Sequence, residues 1–155
     1  MIKARVTLTH PERQGRQFIA STGSGHHLMI DDNVGATGAK PIELVAVALA
    51  GCTAFDVINI LRKKRQRVTG YDVFVEADQA AQAPAVFTRI RIRHVVTGHE
   101  IEENALEHAI RLSEEKYCAV GNMLNKNAAV ATTYEIIEEN PSAAEYENEG
   151  ELVLA

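Results

Sequence analysis

The run from Glu43 to Leu61 limits what this chain can fold into more than any other part of the sequence. It reads ELVAVALAGCTAFDVINIL and is apolar almost throughout. Pro41 is well placed to begin a helix, because the first N–H groups of a helix have no partner within it. From Pro41 to about Arg65 only Gly51 weakens the helical pattern. A helix that is apolar on all sides needs cover on all sides, so the sequence predicts a long central helix covered partly by a second subunit.

The same run approaches the length of a membrane span, which raises the alternative of a transmembrane helix. Asp56 and Asn59 lie inside it, and the basic sequence RKKRQR closes it. A charge at the centre of a bilayer is costly. We therefore expect a buried helix in a protein that does not bind membranes. The basic residues are interpreted as complementing the helix dipole rather than as an RNA site.

Size and composition indicate an ordinary globular protein. The chain has 155 residues, 46% hydrophobic and 24% charged, which suits one domain with a core of its own. Its two cysteines, Cys52 and Cys118, match neither a zinc motif nor a disulfide scaffold. The first ten residues, MIKARVTLTH, contain no apolar export segment. These features lead us to expect a cytoplasmic protein in a reducing environment.

The negative charge lies at one end of the chain. The formal net charge is −5, but the six glutamates from Glu138 onward leave 15 acidic against 16 basic residues in the rest. A nearly neutral body does not favour a nucleic-acid binder. We expect a folded domain over residues 1–138 and an acidic extension over residues 139–155, which is predicted to be solvated and dispensable.

Strands and helices occur in separate stretches of the sequence. Three short strands with alternating polarity open the chain, in IKARVTLT, RQFIAST and HHLMIDD. After the long helix, YDVFVEAD and VFTRIRIRHVV predict an antiparallel pair in which acidic residues face arginines on a solvated surface. Two helices in EENALEHAIRLSEEKYC and AVGNMLNK and a last strand in AAVATTYEIIE follow. The fold class is therefore α+β.

The two thiols differ in their local sequence. Cys52 lies far from the start of its helix among apolar residues, and Asp56 follows one turn later on the same face. The apolar surroundings and the Asp56 carboxylate both disfavour a thiolate. From the residues alone, Cys52 is therefore interpreted as a small buried hydrophobic residue. Cys118 lies in the break between two helices, where free N–H groups favour a thiolate.

Three segments together resemble the OsmC/Ohr family, and within it the YhfA-like branch. They are KPIELVAVALAGCTAFDVINILRKKRQ, LSEEKYCAVGNML and GSGHHLMID. The resemblance covers about residues 3 to 138. It implies an intertwined homodimer in which antiparallel sheets of both subunits enclose two long central helices, which would supply the missing cover.

The resemblance also implies a reaction, the reduction of organic hydroperoxides. Cys52 matches the peroxidatic cysteine, whose thiolate attacks the peroxide and becomes a sulfenic acid. Cys118 matches the resolving cysteine, which condenses with that sulfenic acid to a disulfide. A thiol or dithiol reductant would restore both. No metal, flavin or haem is expected.

Two further residues of the family pattern match less well. The thiolate-stabilising arginine falls on Arg16, with Arg13 as the alternative. Its acidic partner falls on Glu43, because Ile42 stands where the family has the glutamate. Nine residues separate Glu43 from Cys52, which is half a turn out of phase in a straight helix. A helix break near Gly51, the partner subunit or Asp56 as a substitute acid would resolve this.

The six histidines form no metal-binding motif and are interpreted as structural or surface residues. The leading hypothesis is thus a cysteine-based peroxidase acting in oxidative-stress defence. The alternative is a dimeric small-molecule-binding protein of the same fold with little or no turnover. The cysteine pair favours the enzyme, and Ile42 favours the binding protein.

Overall fold

A computed structural model describes residues 1–12, 15–32 and 37–139 of the chain. The chain divides into two compact units, Met1–Ala48 and Leu49–Ala155. The last described strand ends at Glu138. From residue 140 onward the acidic extension lies outside the described residues, as does Arg13, so the expectations about them stay predictions.

The first unit contains a small antiparallel sheet. Its strands β1 (Ala4–Leu8), β2 (Phe18–Thr22) and β3 (His27–Ile30) pair in sequence order, which confirms the predicted meander. After β3, Thr37 donates from its backbone N–H and its hydroxyl to the buried carboxylate of Asp31, at 3.0 and 2.7 Å. All five residues of β1 are exposed in the single chain.

The predicted long helix is present as α1 (Pro41–Lys63), and it is continuous through Gly51. Its buried side chains recur every four residues on one stripe, at Leu49, Thr53, Val57 and Leu61. By length and hydropathy α1 could cross a membrane, yet in the single chain only 22% of its most apolar 18-residue window is buried. Phe55 is 80% exposed. The helix is therefore apolar all round but covered on one side only.

The second unit is built on a larger, mixed sheet with the order β4–β5–β6. β4 (Arg67–Gln79) and β5 (Phe87–His99) form the predicted antiparallel pair, and β6 (Ala129–Glu138) joins β5 in parallel. Between β5 and β6 lie α2 (Glu103–Leu112), a π-helical segment (Ser113–Tyr117) and α3 (Ala119–Leu124). This helical crossover brings the chain back to the starting end of β5, which is why β6 is parallel and the sheet is not wholly antiparallel.

The core of this unit lies between α2, the sheet and the second half of α1. Its fully buried members come from three elements, and they are Val57, Leu61, Val96, Leu106 and Ala109. Ala105 and Ile110 complete the inner side of α2. The sequence predicted this face of α2 correctly, because apolar residues three and four apart lie on one side of a helix.

The opposite face of the sheet carries the predicted arginines. Arg91 forms two hydrogen bonds to the carboxylate of Asp78, at 2.8 and 3.1 Å, and a third to Glu76 at 3.2 Å. The Arg93 guanidinium lies 4.3 Å from the centre of the Phe74 ring. These side chains are about half exposed, so the face is solvated as predicted.

Candidate active site

The second unit brings together Cys52, Asp56 and Cys118. The two sulfurs and a carboxylate oxygen of Asp56 all lie within 4.8 Å of one another. Both cysteines are free thiols. A disulfide has an S–S distance of about 2.05 Å, so bond formation requires the sulfurs to approach by less than about 3 Å. The two candidate redox cysteines are thus neighbours although 66 positions separate them in the sequence.

Cys118 is buried at the N-terminus of α3, where its side chain is 2% exposed. Its Sγ accepts a hydrogen bond from the backbone N–H of Gly121 at 3.2 Å. Burial raises the pKa of the Cys118 thiol to about 11, because the Gly121 N–H compensates only in part and Cys52 and Asp56 add to the rise. At neutral pH Cys118 is therefore a thiol and not a thiolate, contrary to what its position before a helix suggested.

Cys52 lies on α1, one turn before Asp56, and is only partly buried. The greater exposure makes it the more accessible of the two sulfurs. The i, i+4 spacing places its side chain and the Asp56 carboxylate on the same face of the helix, as the sequence predicted. Cys52 is therefore not the fully buried hydrophobe that its neighbours in the sequence favoured.

Asp56 accepts a hydrogen bond from the hydroxyl of Ser113, which is itself hydrogen-bonded to the hydroxyl of Thr53. Ser113 Oγ donates to Asp56 Oδ2 at 3.0 Å, and Thr53 Oγ1 lies 3.1 Å from Ser113 Oγ. Because Ser113 gives its proton to the carboxylate, Thr53 has to donate to Ser113. Both hydroxyl residues are buried, at 3% and 0% exposed. The arrangement fixes the carboxylate beside the sulfurs.

The π-helical segment explains how Ser113 and Cys118 meet this site. Its wider turn is closed by the N–H of Cys118, which donates to the carbonyl of Ser113 at 2.8 Å. Such wide turns are rare and occur often at functional sites. Ser113 and Thr53 were not identified from the sequence. The only signal was their nearness to a cysteine in the chain, which is too common to point to a site.

A tyrosine and a histidine lie behind the carboxylate. Tyr71 Oη is 2.7 Å from Nδ1 of His94, and the two rings stack with centroids 5.9 Å apart. Burial, and secondarily the charge of Asp56, raises the pKa of Tyr71. Burial lowers the pKa of His94 to about 4. His94 is therefore neutral at physiological pH, which agrees with its interpretation as a structural residue.

A cavity of about 370 Å³ has Cys118 in its wall. Its lining is largely apolar and comes from α1, β5, α3 and β6, with Leu49, Thr53, Ile92, Gly121, Leu124 and Val130 among the residues. A volume of this size suits a small organic molecule. The site thus has space for an apolar ligand on the Cys118 side of the thiol pair, and Cys52 is not among the residues that line this cavity.

The cluster could also be compared with a metal centre. Thiolates and a carboxylate are ligands that Zn²⁺ accepts, and zinc sites use four protein ligands when they are structural and three when they are catalytic. The cluster described here supplies three, and its carboxylate already accepts a hydrogen bond from Ser113. We interpret it as a thiol pair with an acidic neighbour.

The other predicted site residues lie in the first unit. Arg16 is 78% exposed and its Nε donates to Asp32 Oδ2 at 2.8 Å. The carboxylate of Glu43 accepts a hydrogen bond from the backbone N–H of Lys40 at 2.8 Å, which caps the start of α1. Among the described residues Arg16 and Glu43 form no ion pair with each other. Their role toward Cys52 stays a prediction.

Comparisons with known proteins agree with the resemblance seen in the sequence. The sequence profile of the family described as OsmC-like protein matches residues 33–133. Protein YhfA of Escherichia coli strain K12 is 37% identical over 124 residues, which are 80% of this chain and 92% of YhfA.

Solved structures show the same fold. A hypothetical protein from Aquifex aeolicus VF5 has a TM-score of 0.79 at 28% identity, with 90% of this chain and 98% of that chain covered. The organic hydroperoxide resistance protein OhrB of Bacillus subtilis has a TM-score of 0.57 at 18% identity, with 87% and 98% covered. At that identity the likeness to OhrB shows the fold alone.

Proposed function

Since the chain belongs to the OsmC-like family, we propose that it is a thiol-dependent peroxidase that reduces organic hydroperoxides to alcohols in oxidative-stress defence. The observation that carries the proposal is the approach of Cys52 and Cys118 to within 4.8 Å of each other. The name of Bacillus subtilis OhrB, an organic hydroperoxide resistance protein of the same fold, supports the choice of substrate.

The surroundings of the two sulfurs assign their roles. Cys52 is the more exposed, and we assign it the attack on the peroxide. Its thiolate bonds to one peroxide oxygen, the O–O bond breaks, and the other oxygen leaves as the alcohol after taking up a proton. Cys52 is left as a sulfenic acid. Cys118, which is buried and protonated, then condenses with it to a disulfide and releases water.

A thiol or dithiol reductant closes the cycle. It attacks the disulfide through a mixed disulfide and leaves both cysteines reduced. The cycle needs no metal or organic cofactor. Because it starts from two free thiols, we propose that the protein works in a reducing compartment such as the cytoplasm.

Arg16 remains the candidate cation for the Cys52 thiolate. In this proposal its guanidinium leaves Asp32 and the Glu43 carboxylate orients it, as the family pattern implies. Both residues have other partners in the single chain, and α1 has no break at Gly51. The pairing would therefore form only when subunits assemble or substrate binds.

We also propose that the protein is a homodimer. The support is the uncovered apolar surface of α1, where Phe55 is 80% and Val47 is 63% exposed. Exposed apolar surface of this extent marks an interaction site in a soluble protein. A second α1 packed against the first, enclosed by sheets of both subunits, would cover it.

The test is a thiol titration after one equivalent of cumene hydroperoxide. The wild type should lose two thiols per chain, and dithiothreitol should restore them. Cys118→Ser should stop at a sulfenic acid on Cys52, which dimedone captures, and Cys52→Ser should not react. If both thiols of the wild type remain titratable, the peroxidase proposal is wrong.

One observation favours the second candidate, a binding protein with little turnover. Asp56 places a negative charge beside both sulfurs, and such a charge disfavours a thiolate. Ligand binding in the cavity without loss of thiols would support this candidate instead.

A further inference from the structure

The second half of the proposed cycle, disulfide formation, requires a proton transfer for which no group has yet been named. Condensation of Cys118 with the Cys52 sulfenic acid needs the Cys118 proton to leave and the departing hydroxyl to gain one. Cys118 is 2% exposed and lies in the wall of the cavity of about 370 Å³, so its sulfur has little contact with bulk solvent. A group within the site has to move this proton if the step is to be fast.

Asp56 is the acidic group that the structure places beside both sulfurs. One of its carboxylate oxygens lies within 4.8 Å of each sulfur. The Ser113 hydroxyl occupies Oδ2 at 3.0 Å. A carboxylate oxygen has more than one lone pair, so the hydrogen bond from Ser113 leaves capacity to accept a proton.

The other described groups near Asp56 are weaker candidates for accepting the Cys118 proton. On its own helix Asp56 has Cys52 as a neighbour, and in the break before α3 it has Cys118. Its charge also raises the pKa of Tyr71 on β4, although burial is the larger cause of that rise. The π-helical segment contributes the Ser113 hydroxyl. No lysine or arginine of the described part of the second unit forms an ion pair with Asp56. The carboxylate is thus the one strongly acidic side chain beside both sulfurs in that part of the chain.

We propose that Asp56 is a catalytic residue of the disulfide-forming step, where it takes the proton from Cys118 Sγ and delivers it to the hydroxyl that leaves Cys52. This inference rests on the proposed peroxidase function. The Cys118 sulfur bonds to the Cys52 sulfur, the S–O bond of the sulfenic acid breaks, and the hydroxyl leaves as water with the transferred proton. The Cys118 sulfur is oxidised and the Cys52 sulfur reduced, and Asp56 ends as it began.

The proposal separates the two halves of the cycle. A negative carboxylate gives no help to the Cys52 thiolate in the attack on the peroxide, since like charges repel. Removing the charge should therefore leave sulfenic acid formation as fast or faster and slow only disulfide formation. A merely structural role would alter both steps together.

Asp56→Asn tests this, because it keeps the size of the side chain and removes the base. After one equivalent of cumene hydroperoxide, quenched samples are followed by mass spectrometry, with dimedone for sulfenic acid and with thiol alkylation for disulfide. We expect the sulfenic acid to form at the wild-type rate or faster and to persist, with disulfide formation slowed about 100-fold. Asp72→Asn, the same change at an exposed carboxylate of β4, should match the wild type.

The pH profile gives a second readout. In Asp56→Asn the Cys118 proton has to leave to solvent, and burial, the largest cause of the shift, still holds the pKa of that thiol above its ordinary value. Its disulfide rate should therefore rise about tenfold per pH unit between pH 7 and 9, whereas the wild type should change little. If Asp56→Asn folds poorly, Asp56→Glu retains the carboxylate and should keep the flat wild-type profile.

The outcomes are distinct. If Asp56→Asn forms the disulfide as fast as the wild type, or if Asp56→Glu shows the steep pH profile, the inference about Asp56 is wrong and the peroxidase proposal stands. If the wild type itself forms no disulfide, both are overturned.

Discussion

The two sheets of this protein differ in the number of their side chains that are buried within a single chain. In the first unit the strands have four or five residues, and every residue of β1 is exposed. In the second unit β4 and β5 have 13 residues each, and β5 buries Ile90, Ile92 and Val96. The second unit therefore has its own core and can hold the cysteine pair in place, whereas the first leaves apolar side chains uncovered.

This difference indicates where assembly matters. The cysteines and Asp56 belong to the self-sufficient unit. Arg16 and Glu43, the expected activating pair, belong to the unit that lacks cover. If the proposed dimer forms, we expect its assembly to govern whether Arg16 and Glu43 can activate Cys52.

The largest expected effect is on the core of the second unit. Leu106→Ala removes a fully buried side chain and should lower the free energy of unfolding by about 2–5 kcal/mol. Val6→Ala, at a position 58% exposed on β1, should cost less than about 1 kcal/mol. Urea denaturation measures both. An equal cost at Val6 would contradict the expected difference between the two sheets and would support the proposal that a partner subunit covers the first sheet.

A pH dependence of stability should follow from His94. Burial lowers its pKa to about 4 in the folded protein, whereas an unfolded chain has a histidine pKa of about 6.5. The unfolded state therefore binds more protons in this window, and stability should fall by about 3 kcal/mol as the pH drops from 6.5 to 4.

His94→Gln is the control for this pH effect. Glutamine is polar but does not titrate, so the variant should lose most of the slope between pH 4 and 6.5 when Tm is measured against pH. An unchanged slope would assign the effect to other groups and would contradict the buried, neutral state of His94.

The exposed apolar surface of α1 can be tested by measuring the oligomeric state of a variant. Phe55→Glu places a charge at a site that is 80% exposed in the single chain and proposed to be buried in the dimer. It should weaken association about 100-fold, which corresponds to about 2.7 kcal/mol. Sedimentation at micromolar concentration would show the shift. Val86→Glu, at a position 49% exposed before β5, should remain dimeric. A wild type that sediments as a folded monomer would contradict the dimer.

The smallest effect is expected on the arginine face of the second sheet. Arg91→Ala removes the exposed contacts to Asp78 and Glu76, and surface ion pairs contribute little. We expect Tm to fall by less than about 3 °C, with the difference vanishing in 0.5 M salt. A larger loss that persists in salt would mean that this face is covered in the assembled protein.

Much of the fold could be predicted because its signals are local. The alternation of polar and apolar residues correctly predicted the strands β4 and β5, and the spacing of apolar residues correctly predicted the buried face of α2. The parallel pairing of β6 was not predicted, because a strand's own residues do not say which way its neighbour runs. The π-helical segment was missed for a similar reason, since its turn depends on what packs around it.

The site was predictable in part. Resemblance identified Cys52 and Cys118, and helical spacing placed Asp56 on the face of Cys52. The hydroxyl chain from Thr53 through Ser113 to Asp56 could not be foreseen, because it joins residues 57 and 60 positions apart. The expectation for Cys118 was wrong. Its position before a short helix predicted a thiolate, but burial raises the pKa of this thiol to about 11.

The sequence was therefore enough to predict the long apolar helix and the antiparallel strand pairs, because these depend on residues close together in the chain, and the family resemblance identified the two thiols. The meeting of Cys52, Asp56 and Cys118 and the burial of the Cys118 thiol became evident from the three-dimensional fold alone. The physical reason is that burial and electrostatic interactions depend on distances in space between residues far apart in the chain.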